Sequence, residues 1–152
     1  MLKYSNLEKF ELTIRRENFS NPITKIGRKI ENLLKDKDCY IICFKDWNNN
    51  EKPAVKNDRR CIFIYSNPSI EYWFLLHYEE ANRSFGEKEL KGYIKKYING
   101  YSTNENFLKK DTWVKELLNH MDNAYQRSKK YKDKTLSFTE FYKLIELIEP
   151  ES

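Results

Sequence analysis

The chain has 152 residues, a length that fits one domain, and its 28 basic and 23 acidic residues give a net charge of +5, too mild to identify a partner. Charged residues make up 34% of the chain, but aromatics reach 15%, and rings that bury about 150–250 Å² each can build a core, which excludes a disordered tail. No apolar run approaches the roughly 18 residues of a membrane span and Met1–Asn6 lacks an apolar signal core, so the chain is read as cytoplasmic, with no membrane partner.

From the N-terminus, Phe10, Leu12 and Ile14 alternate with polar residues over Lys9–Arg15, the pattern of a half-buried strand. Asn21 and Pro22 then form a cap and first helical position, and Ile23, Ile26, Ile30, Leu33 and Leu34 fall on one helical face. The continuous apolar run Cys39–Phe44 predicts a strand buried on both faces, as in a parallel sheet. Lys45–Arg60 is polar and reads as a loop, and Cys61–Tyr65 predicts a second buried strand. That strand ends at Ser66-Asn67-Pro68, read as a cap and proline before a helix whose face holds Ile70, Trp73, Phe74 and His77. The order β-α-β-loop-β-α favours a small α/β sheet.

Everything further along reads as helix. Ser84 with Glu87 and Ser137 with Glu140 fit capping boxes, Gly100 fits a stop, and Val114, Leu117, Leu118, Met121 and Tyr125 form one long stripe. Residues 1–80 are therefore expected to carry the sheet and 81–152 to be helical, within a single domain. The three cysteines, Cys39, Cys43 and Cys61, show no C-x-x-C spacing and read as reduced, buried thiols.

Ligands of open parallel sheets bind beyond the carboxyl ends of the strands. Here those ends hold Asp46 and, just past the second strand, Glu71. If the strands are parallel neighbours the two carboxylates converge and can hold Mg²⁺, which prefers oxygen ligands. Equally, Asp46 fits an ordinary turn acid and Glu71 an acid favouring a helix dipole. His77 is either a catalytic group or a packed core histidine. Arg127, Lys129, Lys130, Lys132 and Lys134, opposed by Asp133 alone, are either a nucleic-acid-binding patch, with Tyr125 and Tyr131 as stacking partners, or a solvated helix end.

The segment Tyr65–Tyr78 resembles the signature S-N-P-x-F-E-x-W-L-L-L-H-F of the RloB-like family. Ser66, Asn67, Pro68, Glu71, Trp73, Leu75, Leu76 and His77 match it, while Ile70, Phe74 and Tyr78 replace similar residues. Ala124–Lys129 resembles the family's A-x-x-x-A-K helix and Thr139–Ile145 its T-x-V-Y-x-L-V ending, so the resemblance spans roughly residues 9–149. It implies a Toprim-like domain on a mostly parallel sheet, a place in abortive-infection phage defence, and a partner ATPase of ABC or AAA type. It also implies a metal-dependent nuclease with metal on a glutamate after the first strand and on a D-x-D pair. The chain departs from that pattern twice. It has no E-G-x-x-T-E segment, so the strand bearing the first glutamate is expected to be missing, and its D-x-D position reads Phe44-Lys45-Asp46, with one acid left. Two functions follow: a Mg²⁺-dependent nuclease subunit built on Asp46, Glu71 and His77, or a degenerate subunit that binds an ATPase, another copy or nucleic acid.

Overall fold

In the computed structural model, residues 23–47 and 58–149 are described. The strand expected at Lys9–Arg15, the Asn21–Pro22 cap and most of the polar stretch read as a loop lie outside them. The elements run α1 (Ile23–Leu33), β1 (Ile41–Asp46), β2 (Cys61–Asn67), α2 (Glu71–Leu76), α3 (Glu87–Tyr93), a 3₁₀ turn (Ile94–Lys96), α4 (Glu105–Leu108), α5 (Thr112–Leu118), α6 (Met121–Lys130), β3 (Phe138–Thr139) and α7 (Tyr142–Ile148).

The two apolar runs form β1 and β2, which pair in parallel from Ile41 opposite Cys61 to Asp46 opposite Ser66. On the far side of β2, β3 pairs antiparallel, with Ser66 opposite Thr139 and Asn67 opposite Phe138. The sheet has the order β1-β2-β3 and is mixed, which corrects the expectation of a mostly parallel one. The strand β3 also comes from the part read as wholly helical. Its two residues are too few to show a period, and the Ser137–Glu140 spacing imitates a helix start. Ser137 is instead buried and accepts from the Phe85 N–H at 2.9 Å, a long-range bond in place of a local cap. Glu140 binds β2 twice, its N–H donating to the Tyr65 carbonyl at 2.8 Å and its carboxylate accepting from the Tyr65 N–H at 3.2 Å.

The strand β1 is not buried on both faces: Phe44 is 45% exposed and the strand's other residues are half-buried or exposed. An apolar run reads the same whether one layer covers it or two. Ile30 of α1 and Leu34 just after it are buried while Leu33 turns outward. The long stripe after Val114 is broken at Asn119–His120 into α5 and α6, so Val114 and Leu118 face solvent and Leu117 and Tyr125 pack.

The core forms around α2. Five of its six residues are buried, Glu71, Tyr72, Trp73, Leu75 and Leu76, as in a helix enclosed on all sides. It packs on β2, β3, α3 and α6. Complete burial of side chains such as Leu75 and Leu76 contributes about 1.5–3 kcal/mol each. A second cluster of Ile94, Ile98, Tyr101 and Leu117 extends this core into the helical part. The turn at Gly100, with φ of 69°, returns the chain so that Tyr101 faces α2. The start of α3 is set by Gly86, whose N–H donates to the Glu89 carboxylate, in place of the expected Ser84–Glu87 pair.

Candidate functional site

The register of β1 and β2 sets Asp46 beside Ser66 at the carboxyl edge of the sheet. Neither the cap nor the helical proline expected at Asn67-Pro68 is formed. Asn67 belongs to β2, and its side-chain amide donates to the Leu136 carbonyl at 2.9 Å. The Asn67–Pro68 peptide is cis, and α2 begins after Ile70. Ser66 is buried and its hydroxyl shares a 2.7 Å hydrogen bond with that of Thr139.

Glu71 sits in the first turn of α2 and is 3% exposed. One carboxylate oxygen accepts from the Ser69 hydroxyl at 2.5 Å and the other from the Tyr101 hydroxyl at 2.9 Å. The carboxylate thus joins the turn after β2 to the second core cluster. Burial, followed by the neighbouring Glu71 charge, drives the Tyr101 phenol well above its ordinary value, so it stays a donor. Asp46 is exposed on its outer side. Loss of water on its inner side, then the charges of Glu71 and Glu87, raise its carboxyl above the usual range, and Lys91 opposes them.

Between these groups lies a cleft lined by Phe44, Lys45, Asp46, Ile64, Ser66, Ile70 and Phe141. Its wall is an aromatic stack: Phe44 on Phe141 at 5.1 Å and Phe141 on Trp73 at 5.0 Å. Trp73 is therefore a packing residue between cleft and core. His77 is 1% exposed and lies edge-on to Trp73 at 4.8 Å. Its Nδ1 is 2.9 Å from the Trp73 carbonyl, which can only accept, so Nδ1 carries the proton. The other ring nitrogen, Nε2, is buried with no hydrogen-bond partner among the described residues. Burial, assisted by the charges of His120 and Arg127, lowers the His77 pKa to about 4.

A magnesium centre needs anionic oxygens facing an open volume. Asp46 offers one, but the oxygens of Glu71 already accept two hydroxyls inside the core. Asp46 and Glu71 alone do not fit such a centre, and no group of three or more His, Cys, Asp and Glu that could hold a metal occurs among the described residues.

The cations of the basic cluster have partners within the fold. Arg127 donates to the Leu76 carbonyl at 2.7 Å, closing the end of α2. Lys129 pairs with Glu146 at 3.0 Å and Lys130 with Glu80 at 3.3 Å. Lys132 lies 4.6 Å from the Tyr142 ring centre and Lys134 lies 4.5 Å from that of Trp47. Tyr125 and Tyr131 are buried, which removes their rings from base stacking. The cysteines are free and half-buried, a correction to full burial, and burial raises the Cys43 thiol and pushes Cys61 up to about 11. Ser69 and Tyr101 complete the site without having been singled out in sequence, and Thr139 and Phe141, read there only as part of the family-like ending, join it. Tyr101 is 30 residues from Glu71, and no local pattern links them.

A family model described as RloB-like protein matches residues 15–148. No curated protein and no solved structure gives a significant match. No helix among the described residues is long and apolar enough to cross a membrane.

Proposed function

The chain belongs to the RloB-like family, and on that premise we propose that it is a subunit of a bacterial abortive-infection defence system that binds rather than cuts, working beside an ABC- or AAA-type ATPase. The observation that carries the binding role is the state of Glu71. This acid matches the family signature, yet it is buried and its oxygens accept from Ser69 and Tyr101. A Toprim-like nuclease would place metal on carboxylates at this edge, and the only carboxylate among the described residues that lines the cleft is that of Asp46. The engagement of Arg127, Lys129 and Lys130 with protein groups likewise favours a protein partner over nucleic acid.

The test is a cleavage assay on DNA and RNA with Mg²⁺ or Mn²⁺, with and without an ABC- or AAA-type ATPase, should a gene for one lie beside it. Wild type, Asp46→Ala and Glu71→Ala are compared. The expected result is no cleavage by any form, co-purification of the ATPase, and a loss of about 3 kcal/mol of stability in Glu71→Ala, since hydrogen bonds to charged groups are worth roughly 1.5–3 kcal/mol each. Metal-dependent cleavage by wild type that Asp46→Ala abolishes without loss of stability would refute the binding reading.

A further inference from the structure

The parallel register that sets Asp46 beside Ser66 also brings two thiols together. Cys61 pairs with Ile41, and Cys43 lies two residues further along β1. Side chains alternate between the faces of a strand, and paired residues of neighbouring strands share a face, so Cys43 and Cys61 stand diagonally on the same face. It is the face opposite the one that turns Phe44, Asp46, Ile64 and Ser66 to the cleft. The sulfur atoms are close enough for the Cys61 thiol to donate toward Cys43. Both thiols are free and half-buried, so small reagents reach them while bulk water does not surround them. Burial raises both above the ordinary thiol value, but the shared hydrogen bond splits them: it favours an ionised Cys43 and disfavours an ionised Cys61, which the nearby Asp58 charge opposes further. The pair therefore has an order, with Cys43 the first to lose its proton.

We infer that Cys43 and Cys61 form a redox site, closing to a reversible disulfide between β1 and β2 when a peroxide reaches them. The Cys43 thiolate attacks one peroxide oxygen and the O–O bond breaks. The departing hydroxide takes up the proton that Cys43 released, leaving a sulfenic acid and one water. The Cys61 sulfur then attacks the Cys43 sulfur, the S–O bond breaks, and the departing hydroxyl leaves as a second water with the Cys61 proton. In sum, the two thiols lose two electrons and two protons, and the peroxide accepts both. The adjacency of the two sulfurs makes the second step intramolecular, so the sulfenic acid is captured before further oxidation. The bond forms on the face away from the cleft, and it ties β1, which carries Phe44 and Asp46, to its neighbour. It stands whether the chain binds or cuts.

The test exposes the full chain to hydrogen peroxide, digests it with trypsin without reduction, and sequences the products by tandem mass spectrometry. The expected product joins the peptide Asp38–Lys45 to Cys61–Arg83 through Cys43 and Cys61. It should persist in Cys39→Ala, be absent from Cys43→Ala and Cys61→Ala, and disappear on treatment with dithiothreitol. The linked peptide is read in wild type, so a variant that folds poorly leaves the result intact. Oxidised wild type should also melt at least about 5 °C above the reduced form, because a cross-link between these positions constrains the unfolded chain. Thiols that stay reduced after prolonged exposure overturn the pair. So does sulfinic acid at either cysteine without a link, a bond through Cys39, or a bond between two chains. A melting point that oxidation leaves unchanged or lowers would show a bond made outside the native pair, and overturns it too.

Discussion

Lowering the pH from 7.5 to 5 should cost the fold about 2 kcal/mol through His77 alone. The imidazole is 1% exposed, its Nδ1–H is held by the Trp73 carbonyl, and its Nε2 has no partner among the described residues to share a second proton. Its folded pKa of about 4 lies below the ordinary histidine value. The unfolded chain therefore binds the proton first as pH falls, so the stabilisation is complete above about pH 6.5 and is lost between there and pH 4. Over the whole interval, about 2.5 pKa units at about 1.36 kcal/mol each amount to roughly 3.4 kcal/mol. The part falling between pH 7.5 and 5 is the 2 kcal/mol above. Asp46 works in the opposite sense, because its raised carboxyl is relieved by protonation in the folded state. The measurement is thus a comparison: urea unfolding of wild type and His77→Gln at pH 7.5, 6 and 5. His77→Gln should be less stable at pH 7.5, yet lose about 2 kcal/mol less on acidification. Parallel stability curves for the two proteins would show that His77 protonates in place, and the reasoning from its burial would fail.

Arg127→Met keeps the aliphatic stem and removes the bond to the Leu76 carbonyl; it should lower stability by roughly 1–2 kcal/mol in thermal unfolding and, by deleting a positive charge near His77, weaken the acid sensitivity. If stability is unchanged while the salt slope of nucleic-acid binding falls by about one charge, Arg127 is a phosphate contact instead. At pH 7.5 Cys61 should react with iodoacetamide at least tenfold more slowly than free cysteine, because a pKa of about 11 reduces the thiolate roughly 300-fold. Mass spectrometry of the alkylated chain checks this, and a rate equal to that of free cysteine refutes it.

What could be read from the sequence was whatever depended on neighbours in the chain. Short apolar runs gave the parallel pair β1 and β2, and hence Asp46 and Ser66 at one edge, because a strand's character is written in a few consecutive residues. The signature helix also emerged, with Trp73 on its packed face, since the spacing of its apolar residues is local, while His77 was left open between a catalytic and a packed role. What depended on distant partners did not emerge. Ser137 carries a helix-capping pattern but accepts from Phe85, and Asn67 looks like a cap but anchors the segment before β3. The cations from Arg127 to Lys134 read either as a nucleic-acid patch or as a solvated helix end, because Leu76, Glu80 and Trp47, which engage three of them, are more than 40 residues away. The role of Glu71 was ambiguous for the same reason, since Tyr101 decides it.

The pairing of Ser66 with Thr139 spans 73 residues, and that separation sets a timetable. During synthesis β2 emerges long before the two residues that cover its far side, so its edge stays open while α2 through α6 are made. Contacts this distant close late and slow folding, leaving a strand edge exposed to stray pairing in the interval. The two hydrogen bonds between Glu140 and Tyr65 then act as the latch that ends this vulnerable period. A ribosome-bound chain halted before residue 137 should therefore carry α1 to α6 but an unfinished sheet, and so be the form most in need of a chaperone.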